Sequence, residues 1–195
     1  MHEPRQPILL LVAGAVLLLA GLLAWRLAPL DLAVYRIARV AGDATLGRLA
    51  SGLSAIGGLT VMGPLALAVA IGLALRRRRG DALWLAVTIV AGRLLVEGIK
   101  EIVRRPRPPL GDRLADVASW SFPSSHSAGT MMTCLAFALL AGGRWPALLA
   151  ALATAGAIGW SRVALGVHWP SDVLAGWGLG ALWIGAARRW RPRSA

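Results

Sequence analysis

Apolar positions in this sequence come in long blocks separated by short, mostly basic, polar stretches, not at the two- or four-residue intervals of half-buried elements. A helix needs about 20 mainly apolar residues to cross about 30 Å of bilayer hydrocarbon, and these blocks approach that length. The pattern predicts an all-α chain, a six-transmembrane-helix bundle with spans at about 8–25, 53–75, 82–104, 124–141, 146–166 and 171–187. Residues 1–195 then form a single integral membrane domain. The first block follows Arg5 as a signal peptide would, but Ala24-Trp25-Arg26 is not a small-residue cleavage site, so the block reads as a retained span. Residues 30–50 scatter Asp31, Arg36, Arg39, Asp43 and Arg48 among apolar positions. They are too polar to cross and suit either a helix lying in the membrane interface or a plain loop.

Composition sharpens the picture. Hydrophobic residues make up 57% of the chain while the formal net charge is +12, so apolar residues and arginines must be segregated. The arginines sit at the ends of apolar blocks and not on an amphipathic face with aromatics between them, which argues against nucleic acid as a partner. The run Arg76-Arg77-Arg78-Arg79 marks a cytoplasmic connection. Counting from it puts both termini inside, the last span followed by Arg188, Arg189, Arg191 and Arg193, and puts the connections 105–122 and 162–170 together on the outer face. Cys134 is the single cysteine, so it has no disulfide partner and no zinc-binding company. Trp120, Trp160 and Trp169 fall near one depth and read as an interfacial belt.

Charge also enters the third block, where Arg93, Glu97, Lys100 and Arg104 follow steps of four, three and four and so share a helical face. Ionisable groups in a membrane helix are costly and face a bundle interior or a wet cavity, which makes this stripe a candidate site. Three segments at the outer block ends extend it: 100–108 (KEIVRRPRP), 123–126 (PSSH) and 161–172 (SRVALGVHWPSD). Lys100, Arg107 and Arg162 are three cations from separate places, a set that suits a multiply charged phosphoryl group. Pro123 suits a first helical turn, leaving the amides of Ser124, Ser125 and His126 as unpaired donors able to bind an anion. Ser124 and Ser125 equally suit capping of that helix. Of three histidines, His2 is terminal, while His126 and His168 both fall at outer helix ends. Asp172 follows His168 by four residues across Pro170, a spacing that lets it accept from one imidazole nitrogen or simply cap the helix. No metal or other cofactor is implied, because there is no H-E-x-x-H and no His/Cys cluster, and Asp112 and Asp116 are only two carboxylates on what reads as a solvated face.

The three segments resemble the signature K-x6-R-P, P-S-G-H and S-R-x5-H-x3-D of the type-2 phosphatidic acid phosphatase superfamily, in order and in internal spacing. Ser125 stands where that pattern most often has glycine, and it keeps the backbone N–H. The resemblance implies a metal-independent phosphatase whose partner is a membrane-embedded lipid phosphate or pyrophosphate. It implies His168 as the nucleophile that forms a phosphohistidine, Asp172 as its orienter, and His126 as the acid for the departing oxygen and the later base for water. Lys100, Arg107, Arg162 and the amides near Ser124 and Ser125 would stabilise the phosphoryl oxygens. Undecaprenyl pyrophosphate, phosphatidylglycerophosphate, phosphatidic acid and lipid A phosphate all fit as amphiphiles whose headgroup reaches the interface. Two alternatives stay open: a lipid phosphotransferase of the same fold, and a lipid-phosphate transporter without chemistry. The transporter gives no reason for two histidines and an aspartate at nucleophile spacing.

Overall fold

The computed structural model describes residues 5–40 and 44–192, and His2, Asp43 and Arg193 lie outside them. Within these residues the chain is helical, with α1 (Arg5–Arg26), α2 (Ala28–Ala38), α3 (Ala44–Gly57), α4 (Leu59–Leu75), α5 (Arg79–Val103), α6 (Ser125–Leu140), α7 (Trp145–Ala164) and α8 (Pro170–Ala187). Two 3-10 turns, Leu110–Asp112 and Arg188–Trp190, complete the described elements. The polar stretch at 30–50 resolves into α2, with Pro29 in its first turn where a missing N–H leaves no gap, and the start of α3. The block expected at 53–75 is a bent unit that begins earlier, α3 followed by α4 across a 41° break. Gly58 occupies that break in an extended conformation.

Among the described residues, α1, α5 and α7 have the length and composition to cross a membrane, and the bent α3–α4 pair is a fourth candidate. The apolar α6 has 16 residues, about 24 Å of helix at a rise of about 1.5 Å each, and is shorter than a full crossing. The outward faces carry exposed large apolar side chains, among them Val12 and Leu19 on α1, Leu67 and Ile71 on α4, Val90 and Leu94 on α5, and Leu149 on α7. An apolar exterior on apolar helices is the pattern of an integral membrane protein, whose solvent is lipid.

Helix α6 forms the centre, with Met131, Met132, Leu135 and Leu139 buried against Leu85 and Val96 of α5, Ala155 of α7 and Ile184 of α8. Helix α1 runs along α8 at backbone contact. A Cβ added at Gly14 would stand 2.6 Å from Leu182 N, and one at Gly21 2.7 Å from Ala175 N. Small residues let two membrane helices approach this closely, and the resulting van der Waals contact substitutes for a hydrophobic drive that lipid does not supply. At one end of the bundle Gln6 donates to Gly143 O at 2.8 Å, Trp84 Nε1 to Ala187 O at 2.9 Å and Arg191 Nε to Asp81 Oδ1 at 3.0 Å. Both ends of the described chain and the α4–α5 and α6–α7 turns therefore lie together, and the α5–α6 and α7–α8 connections lie at the other end.

Candidate active site

Local sequence brings each site residue to that second end. Helix α5 stops at Arg104, whose φ of 48° is left-handed and turns the chain back, and Pro106 and Pro108 bar any return to helix. Arg105 and Arg107, two apart on either side of Pro106, then both point inward. Helix α7 ends with Arg162 in its last turn, and Gly166, at φ 68°, reverses the chain so that the N–H groups of Val167 and His168 both donate to Arg162 O at 3.2 Å. His168 is thereby folded over Arg162. Pro170 opens α8, and Asp172 in its first turn reaches back to accept from Trp169 N at 2.9 Å.

His168 is 1% exposed. Its Nε2 lies 3.0 Å from Arg107 Nη1 and its Nδ1 3.3 Å from Asp172 Oδ2, with Ser121 Oγ 3.5 Å away. A guanidinium has only donors, so Nε2 must be the lone-pair nitrogen and Nδ1 must carry the proton toward Asp172. Burial, reinforced by the positive charges of Arg107, Arg162 and Lys100, holds the imidazole well below the ordinary histidine range, so the ring is neutral. Arg107 is itself pushed down to about 10, first by burial, and stays charged at neutral pH.

A cavity of about 790 Å³ opens onto this group, lined at its polar end by Lys100, Arg107, Ser125, His126, Arg162 and His168. Lys100 Nζ donates to Trp120 O at 2.6 Å, and Arg107 donates to Ser119 O and Val167 O, each at 2.6 Å. Arg162 Nη1 donates to Ser54 Oγ, while its buried Nε has no partner. Three arginine or lysine heads thus face one space, held by neutral carbonyls and hydroxyls. Ser124 departs from the expectation of a free amide. Its N–H donates to Asp172 O at 3.0 Å, and its buried hydroxyl caps α6 by accepting from Ser127 N at 3.4 Å. It sits behind the cavity with Asp172. Asp112 is likewise not merely solvated, since it pairs with Arg39 at 2.7 Å and accepts from Tyr35 Oη at 3.2 Å. No three His, Cys, Asp or Glu side chains converge on one point among the described residues.

Residues 81–195 match the family model described as the PAP2 superfamily. The chain belongs to the PAP2 superfamily. It is an enzyme of that superfamily's phosphatase type. Phosphatidylglycerophosphatase B of Bacillus subtilis is 31% identical over 160 residues, 78% of either chain. The decaprenylphosphoryl-5-phosphoribose phosphatase of Mycolicibacterium smegmatis is 39% identical over 121 residues, 58% of this chain and 62% of that one. Among solved structures, the transmembrane PAP2-type phosphatidylglycerolphosphate phosphatase of Bacillus subtilis superposes with a TM-score of 0.80 at 26% identity, covering 94% of each chain.

Behind the candidate site of this PAP2 superfamily chain lies a polar network that sequence reasoning missed. Asp172 Oδ1 accepts from Arg105 Nη1 at 2.6 Å, and Oδ2 accepts from Ser121 Oγ at 2.5 Å. Arg105 Nη2 reaches Asp31 Oδ2 of α2 at 2.8 Å, and Asp31 Oδ1 accepts the Ser171 N–H of the α8 N-terminus at 2.9 Å. The guanidinium of Arg105 is stacked between Trp25, 4.9 Å to the ring centroid, and Trp169, at 5.6 Å, so Trp169 does more than mark the interface. The available signals were the second Arg-Pro pair, Arg105-Pro106, and a carboxylate inside an apolar stretch at Asp31. Of the third-block stripe, Arg93, Glu97 and Lys100 line the cavity, whereas Arg104 is exposed and bonds Glu101 O at 2.8 Å.

Proposed function

We propose that this protein hydrolyses a lipid phosphate or pyrophosphate at the outer membrane–water interface of a bacterial inner membrane, through a phosphohistidine on His168. The observation that carries this reading is the continuity of the cavity. The space lined by Lys100, Arg107, His126, Arg162 and His168 continues between α4 and α5 along Leu59, Ala66, Leu67, Ile89 and Val90. A polar pocket opening into an apolar groove suits an amphiphile whose phosphate enters the one and whose chain stays in the other. The relatives' names, phosphatidylglycerophosphatase and decaprenylphosphoryl-5-phosphoribose phosphatase, support a lipid phosphate of this kind.

In the mechanism, the Nε2 lone pair of His168 attacks phosphorus in line with the bond to the lipid oxygen. That bond breaks, its electron pair leaves with the oxygen, and His126 supplies the proton. His126 then takes a proton from water, the resulting hydroxide attacks the phosphohistidine, phosphate departs, and His168 is regenerated. Asp172 stabilises the positive imidazole of the intermediate through Nδ1–H. Arg107, bonded to Nε2 in the ligand-free site, transfers to the phosphoryl oxygens as they arrive, where Lys100, Arg162 and the Ser125 amide join it. Ser124 serves as the cap that aims that helix end. The six-span arrangement, with both termini cytoplasmic and the site outside, is supported by the alternation of chain ends between the two ends of the bundle and by the arginines at 76–79.

Detergent-solubilised protein assayed on undecaprenyl pyrophosphate, phosphatidylglycerophosphate, phosphatidic acid and lipid A phosphate is expected to release phosphate from at least one. Turnover is expected to persist in excess chelator and to stop with vanadate, which imitates the pentacoordinate phosphorus. Rapid quench of a labelled pyrophosphate substrate under alkaline conditions is expected to leave label on His126→Ala and none on His168→Ala. No release from any lipid, or label retained by His168→Ala, would overturn the reading.

A further inference from the structure

Arg93 is the cation that the mechanism leaves unused. It stands seven residues before Lys100 on the same face of α5, about 10 Å farther from the outer end of that helix. It lines the same cavity where the polar end meets Leu59, Gly63 and Leu94. Its guanidinium lies flat on α6 in a space that Gly129 leaves, since a Cβ there would overlap Arg93 Cζ. Nη1 donates to Ser125 O at 3.2 Å, and the buried Nε has no partner. No carboxylate lies within ion-pair distance of Arg93 among the described residues, and Glu97 one turn away accepts instead from Ser125 Oγ at 2.6 Å. An arginine so placed in a membrane cavity, with a donor unused and the charge of Glu97 only partly offsetting its own, is costly, and an anion delivered to it lowers that cost.

Arg93 bonds the carbonyl of Ser125, the residue before His126, and shares the cavity with that ring, so in the mechanism above it stands on the acid's side of the pocket, where the leaving oxygen departs. For phosphatidic acid the next group on that side is an uncharged glycerol ester. For a lipid diphosphate, or a headgroup phosphate joined to the lipid through a phosphodiester, the next charged group is a second phosphate. We propose that Arg93 forms a second anion subsite for an internal phosphate that stays with the lipid product, making the enzyme selective for lipids that carry two phosphates. Glu97 beside the subsite opposes a dianion, so the group that fits carries one charge, as a phosphodiester or the inner phosphate of a diphosphate ester does. Nη1 and Nη2 of Arg93 form the fork that suits its two free oxygens, Nε being buried against Gly129. This subsite rests on the lipid-phosphatase reading above.

The test compares kcat/KM for undecaprenyl pyrophosphate and phosphatidylglycerophosphate with that for phosphatidic acid in the full chain in detergent. Arg93→Gln is expected to lower at least one of the two ratios tenfold or more, and smaller changes in both overturn the subsite. A loss confined to the pyrophosphate assigns it to a directly bonded phosphate, and a loss on phosphatidylglycerophosphate assigns it to a phosphodiester. Arg93→Leu, whose apolar side chain suits the groove, carries the same test if the glutamine variant does not fold. Should the wild type hydrolyse none of the three, the lipid-phosphatase reading fails by itself. Thermal unfolding then judges the subsite without turnover. Inorganic pyrophosphate is expected to stabilise the wild type at lower concentration than orthophosphate, with the difference lost in Arg93→Gln. Equal responses to the two anions in the wild type overturn it.

Discussion

The charge state of His168 is decided by its neighbours and not by its own chemistry. At pH 6 a free imidazole with its usual value of about 6.5 is roughly three-quarters protonated. Burial and the surrounding cations hold His168 well below that range, so protonation sets in only at lower pH and the ring is expected to stay neutral at pH 6. Its Nε2 contact with Arg107 at 3.0 Å further requires the proton on Nδ1. Nitrogen NMR of histidine-labelled protein at pH 6, with His168→Ala used for assignment, checks both points, and a doubly protonated ring would refute them. Asp31 and Arg105 offer a stability test at the same scale. Both are buried and paired at 2.8 Å, and removing Asp31 takes the acceptor from Arg105 Nη2 while Nη1 keeps its bond to Asp172 at 2.6 Å. Asp31→Ala, which also removes the acceptor of the Ser171 N–H, is expected to destabilise the protein by about 1–3 kcal/mol, read from unfolding in detergent. None of this was legible from single residues. The motif spacing singled out His168, Asp172 and Arg107, but Asp31 looked like any interfacial carboxylate, because nothing local marks a partner far along the chain.

Element by element, α1, α4, α5, α6, α7 and α8 followed from apolar block length, whereas α2 and the start of α3, in the stretch left open between helix and loop, did not. The break between α3 and α4 falls at Gly58, and a Cβ there would stand 3.7 Å from His126 Nε2, so the bend lies directly beside the proposed acid. The α1–α8 contact is stricter. At Gly21 a Cβ would meet Ala175 N at 2.7 Å and Ser171 O at 2.9 Å, backbone atoms that cannot rotate away. Overpacking of this kind costs about 1–3 kcal/mol or more. Gly21→Leu is expected to lower the unfolding midpoint and, by displacing the first turn of α8, to reduce turnover as well. Gly98→Leu on α5, where an added Cβ meets nothing within 4 Å, is the control expected to leave the midpoint in place. Block length could not reveal this interface, since the apolar stretch of α1 reads the same whichever helix it lies against.

For the whole molecule, the arginines at 76–79 and the Arg188–Trp190 turn share one end, and the proposed site occupies the other. Reporter fusions at residues 78 and 195 are expected to report cytoplasm and one at 112 the outer side; a common side for all three would overturn the six-span topology. The sequence by itself determined the helical membrane character, the positions of α1, α5, α6, α7 and α8 within a few residues but not the early start and bend of the α3–α4 pair, and the three segments that carry lysine, arginine, histidine and aspartate at family spacing. These are local properties, written in block length and in offsets of three, four and seven residues. Tertiary structure decided what those residues do with one another. It gave the Ser124 N–H to Asp172 O and so withdrew it from the cavity, and it laid Arg93 over Gly129 beside the pocket. It also joined Asp31 to Ser171 across 140 positions. Contacts of that separation have no period and no motif, because they depend on which helix faces turn toward each other once the apolar surfaces have been buried.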